Sequence, residues 1–232
     1  MKHKKIIRVG GWLMLMYAAI IIGIPMLLDI LTKSEHLIYS LEQYKLFAVA
    51  KGSVTIHLML LIYALSPLLL IPGAISAYYI FLEKFAGFMH IASYFALIGI
   101  MALTFSLLML PSVDWIVASY IQNFTVSHQN IFIVLLMALN SYLGVYIGDI
   151  LGIGCLTVWF AMVSIAMIRS QIFPLFVGIF ELSIASLIVI DIALRYLEIS
   201  PTIYANIQVQ GLIGLWLFVC GICAIKLELD YE

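Results

Sequence analysis

From Val9 to Leu28 the chain runs without a charged side chain, and long apolar stretches of the same character recur to its end. About 20 such residues cross the hydrocarbon of a bilayer as one helix. Composition supports a lipid environment. Of 232 residues, 65% are hydrophobic and 10% charged, against about 45–50% apolar and about 25% charged in ordinary soluble domains. A surface with so little charge suits lipid. The net charge of -1 leaves no electrostatic footprint for nucleic acid.

The segment 9–31 follows Lys2, Lys4, Lys5 and Arg8. It is longer than a signal-peptide core and has no small-residue cleavage pattern, so it reads as a retained first span. Further spans are expected at 54–82, 85–110, 143–168, 172–196 and 203–227, with interfacial helices in 32–52 and 112–142. The segment 130–142 is either interfacial or a seventh span. Pro67, Pro72 and Gly73 lie inside the second span. Proline removes a backbone donor and clashes one turn back, so a kink or break is expected there. The fold class is therefore an all-α integral membrane protein, a bundle of about six transmembrane helices in one domain over 1–232.

With the N-terminus inside, the inner side holds Lys2, Lys4, Lys5, Arg8, Lys84, Arg169 and Lys226, and the outer side Lys33, Lys45, Lys51 and Arg195. This bias predicts both termini cytoplasmic in a multi-pass protein, and the expected location is an inner membrane of bacterial type.

Tyr142-Leu143-Gly144, Trp159, Arg169-Ser170, Phe173-Pro174 and Gly178 form a series along the fourth and fifth spans. Arg8 and Gly11, and Leu215-Trp216 with Gly221-Ile222, are similar in kind. Together they resemble a bacterial six-span membrane family catalogued as domain of unknown function 4386. The resemblance implies the fold and no activity. Many relatives carry a Glu-His pair just after the Tyr-Leu-Gly. Here those positions are Val145 and Tyr146, and the nearby acid is Asp149.

Ionisable groups at bilayer depth are costly and mark candidate sites. His57, Asp149, Asp191, Arg195 and Asp29 all fall near the outer ends of their spans, and this layer suggests an outward-facing polar pocket. In the fifth span Glu181, Asp191 and Arg195 lie within an arc of about 80°. Asp191 and Arg195 are spaced to pair directly. Glu181 stands about 13 Å above the inner end, near the midplane, with no partner in its own helix. The plainer readings are an interfacial Asp191–Arg195 pair, Asp149 as a helix cap, and His57 and His90 as neutral hydrogen-bonding residues. Gly144, Gly148 and Gly152 form a small-residue stripe for close helix packing, against a helix of this chain or of a second copy. Cys220-Gly-Ile-Cys223 is a C-x-x-C inside the sixth span, where cysteine acts as a small apolar residue rather than as the accessible thiolate that a redox or metal role needs.

No metal, P-loop or hydrolase motif is present, and the reading assigns no cofactor, no metal and no catalytic residue. Three functions stay open. The first is a small transporter or ligand-binding protein using Glu181, His57, Asp149, Asp191 and Arg195. The second is a structural or accessory subunit, and the third a membrane enzyme acting on a lipid or quinone. The partners expected are the lipid bilayer and a homo-oligomer or other membrane subunits, with no nucleic acid.

Overall fold

The computed structural model describes residues 4–32, 54–114, 116, 134–135, 138–196 and 202–229. The interfacial helix expected in 32–52, and most of that in 112–142, lie outside these residues, as do the side chains of Asp29 and Arg195. Among the described residues every regular element is helical. They are α1 (Lys4–Thr32), α2 (Val54–Leu65), a 3-10 turn (Ser66–Leu69), α3 (Leu70–Leu107), a short π turn (Leu110–Asp114), a π-helical segment (Ser141–Ile153), α4 (Gly154–Ser170), α5 (Leu175–Tyr196) and α6 (Thr202–Leu229). Among the described residues five helical stretches are long and apolar enough to cross a membrane: Lys4–Leu27, Val54–Val113, Ala138–Ser170, Leu175–Leu194 and Gln210–Leu227.

The longest of these stretches is bent twice. Pro67 has no N–H for the Tyr63 carbonyl one turn back, and the Ser66 hydroxyl donates to that carbonyl instead, at 2.7 Å. The helix tightens into a 3-10 turn at this point, where the prolines predict a kink. The second break is sharper. Phe85 leaves helical geometry, with φ -138° and ψ 38°. Tyr78 Oη then lies 3.1 Å from His90 Nε2, although twelve residues of continuous helix would separate them by about 18 Å. The chain therefore folds back at Phe85, and α3 is a hairpin of two arms.

The turn of this hairpin is tied to the end of α4, where Lys84 Nζ donates to the Ser170 carbonyl at 2.7 Å. Helix α4 stops there because Gln171 takes a left-handed conformation, φ 58°, and Pro174 follows. From this end the second arm of α3 and the Ala138–Ser170 helix run antiparallel. A Cβ on Gly99 would lie 2.9 Å from the Gly152 carbonyl and from Leu156 N, and one on Gly152 would lie 3.0 Å from Leu103 N. A Cβ on Gly148 would collide with Ser106. The glycine stripe thus meets a helix of this same chain. Gly144 is different, since its Cβ would meet only Asn140 of its own helix. The helix expected over 143–168 extends from Ala138 to Ser170, and its first half is π-helical, a form that is rare and often found at functional sites.

Helices α1 and α6 pack closely antiparallel, Gly11 against Gly221 and Gly214 against Ile22. Helix α5 leans on α4 through Gly178, whose Cβ would stand 3.2 Å from the Ser164 carbonyl. One continuous core, including Tyr17, Phe81, Trp159, Phe160 and Trp216, joins α1, α3, α4 and α6. Outward-facing Trp12, Met26, Tyr94, Phe105 and Phe176 are exposed, as expected of side chains whose solvent is lipid.

Candidate functional site

Helix α5 buries Val177, Gly178, Glu181, Ile184, Ala185 and Ile188. That spacing is a helical core seam, and a carboxyl occupies one of its positions. Glu181 is 0% exposed. Opposite it, α6 buries Ile213, Trp216, Leu217, Cys220 and Ala224 on its own seam. Cys220 Sγ donates to Glu181 Oε2 at 3.0 Å. Among the described residues, Glu181 Oε1 has no hydrogen-bond partner.

Along α6, one turn before Cys220, Trp216 belongs to an aromatic cluster of the core. The rings of Phe160 and Trp216 stack with centroids 4.0 Å apart, and Trp159 lies 5.6 Å from Trp216. The indole N–H groups of both tryptophans and the Tyr17 hydroxyl are also buried without a partner among the described residues. Orphaned polar atoms of this kind are uncommon in buried cores and each calls for a reason. Here they stand on α1, α4, α5 and α6, the helices around the Glu181–Cys220 pair.

Toward Lys84 and Ser170, a cavity of about 10 Å³ opens between α1, α3, α4 and α6. Met14, Ser76, Phe81, Met167, Phe173 and Cys220 are among its lining residues. Its wall is nearly all apolar, and Ser76 already donates to the Ile7 carbonyl at 3.1 Å. Cys220 joins the cavity to Glu181.

The outer polar layer stands apart from this centre. His57 on α2, Asp149 in the π-helical segment and Asp191 on α5 are each half-buried, and each has interactions of its own. Helix α2 packs mainly on α1, α3 and the turn at Leu110–Asp114, while α5 packs on α4 and α6. The bonded partner of Glu181 is Cys220 and none of these three. His90, exposed on α3, is held by Tyr78 Oη and by the Ala86 carbonyl at 2.9 Å from Nδ1, so the groups bonded to it are a phenol and a carbonyl. Among the described residues no three His, Cys, Asp or Glu side chains gather as a metal-binding group.

Cys220 is the site residue that sequence reasoning missed as a partner of Glu181. The signal was depth. Glu181 is nine residues from the inner end expected for its span and Cys220 seven from that of its own, heights of about 13 Å and about 10 Å. No protein-family model, curated protein or solved structure matches the chain.

Proposed function

We propose that the chain is a small transporter or ligand-binding protein of a bacterial-type inner membrane, crossing it six times with both termini cytoplasmic, and that Glu181 is its working group. Glu181 Oε1, which has no hydrogen-bond partner among the described residues, carries this reading. A buried carboxyl kept only for structure is expected to have both oxygens satisfied. One held with a free oxygen at the middle of a helical bundle is poised to exchange a proton or meet a ligand. The centre lies beside the cavity at the Lys84–Ser170 end, rather than in the outer layer of His57, Asp149, Asp191 and Arg195.

Six crossings rest on the chain reversal at Phe85, which divides the longest apolar stretch. They also suit the six-span family that the segment around Tyr142 and Arg169 resembles. The orientation rests on the Lys and Arg bias. A cysteine introduced at Glu83, which is exposed, should be labelled by an impermeant thiol reagent only when the cytoplasmic face is open. Labelling in intact cells contradicts this topology.

Stability separates a working carboxyl from a structural one. Replacing a buried polar or charged group by an apolar one of similar size is often neutral or stabilising. Glu181→Leu is therefore expected to melt at or above the wild-type temperature in detergent. A fall of several degrees would mean that the Cys220 bond holds the bundle together, and the accessory-subunit reading would take its place.

A further inference from the structure

Three sulfur-bearing residues from three helices are among those lining the cavity, Met14 of α1, Met167 of α4 and Cys220 of α6, and Cys220 is the one bonded to Glu181. They are 2%, 4% and 4% exposed. Among the described residues no imidazole or carboxylate lines the cavity, and its one hydroxyl, that of Ser76, already donates to the Ile7 carbonyl, so sulfur predominates in the donor set. Thioethers and thiolates select soft ions such as Cu(I), while oxygen-rich sites suit hard ones. The volume of about 10 Å³ is close to the space of one water-sized sphere, which admits a single bare ion. A thiol must lose its proton to ligate a metal. Cys220 already directs that proton at Glu181 Oε2, 3.0 Å away.

We propose that this cavity binds one soft monovalent cation of the cuprous or silver class, through the Cys220 thiolate and the thioethers of Met14 and Met167. The proposal deepens the reading of Glu181 as a working carboxyl and rests on it. On binding, the Cys220 S–H bond breaks and the S–metal bond forms. The proton passes through the Glu181 carboxyl to water, so one proton is released per ion and the metal keeps its oxidation state. The thiolate charge offsets the cation, which lowers the cost of placing it at membrane depth. Cys223 does not line the cavity and is not a ligand.

The test uses the full chain in lipid nanodiscs under anaerobic conditions. Cu(I) is titrated against a chromophoric cuprous chelator, and Ag(I) serves as a redox-inert second probe. Wild type is expected to take one ion per chain and release one proton. The double variant Met14→Leu, Met167→Leu nearly conserves volume and is expected to bind at least about tenfold more weakly. Cys223→Ser should bind as wild type does. X-ray absorption at the copper edge should count three sulfur neighbours in wild type, a result that stands even if the double variant fails to fold. Equal affinity in wild type and a folded double variant, or a copper spectrum without thioether sulfur, overturns the site and leaves Met14 and Met167 as space-filling core residues. That failure would not alter a pH response of the Glu181 carboxyl in the infrared. Copper held by three sulfurs with no such carboxyl response would instead overturn the Glu181 reading and the proton step with it.

Discussion

Gly99→Ala is expected to destabilise the bundle by about 1–3 kcal/mol, the usual range for overpacking a well-filled interior, and Gly99→Val by more. The added Cβ would stand 2.9 Å from the Gly152 carbonyl oxygen and from Leu156 N. Both are backbone atoms of a helix, so no side-chain rotation relieves the contact, and the two helices must separate. In lipid that separation matters because helix association rests on close packing rather than on exclusion of water. Gly154→Ala is the control. Nothing lies within 4 Å of its Cβ position, and alanine favours a helix over glycine by about 1 kcal/mol. This change should be neutral or stabilising. Reversible unfolding in mixed micelles reads both. Equal effects at Gly99 and Gly154 would mean that the arm of α3 does not approach the π-helical segment as described.

Trp159→Ala is expected to cost about 3–5 kcal/mol, as large aromatic truncations in cores do. Trp159 is 0% exposed and touches Phe160 and Trp216, with centroids 5.3 Å and 5.6 Å away. The unfolded helices still lie in lipid, so part of the usual transfer gain is absent. What is lost is dispersion contact around a void, which places the effect toward the lower end of that range. Trp12→Ala, at a residue 54% exposed, should change stability by less than about 0.5 kcal/mol. A Trp159 variant as stable as the Trp12 variant would contradict the placement of the aromatic cluster at the centre of the bundle.

Much of this fold is legible in the sequence because lipid imposes one simple rule, that long apolar runs become helices with their backbone bonds closed inside them. Pro67 announces the kink in the second span, and Glu83 with Lys84 the turn of the α3 hairpin. The π-helical geometry of Ser141–Ile153 has no comparable signal, since Gly144, Gly148 and Gly152 at four-residue spacing suit an ordinary α-helix equally well. The site was harder to read. Periodicity places Glu181 on a helix face, but the charges that share its arc, Asp191 and Arg195, direct attention to the outer end. Its bonded partner, Cys220, is a residue that carries no charge and looks apolar. The sulfur cavity is less visible still, because Met14 and Met167 are ordinary core methionines until three helices bring them to one space.

The central claim is that Glu181 is a carboxyl that exchanges protons, and difference infrared spectroscopy of the reconstituted protein tests it most directly. Between acid and alkaline buffer, wild type should show a carboxyl C=O band that responds to pH and shifts in heavy water. Glu181→Gln should lack that band while keeping its melting temperature. A wild-type spectrum with no such band, or one that persists unchanged in Glu181→Gln, would contradict the account.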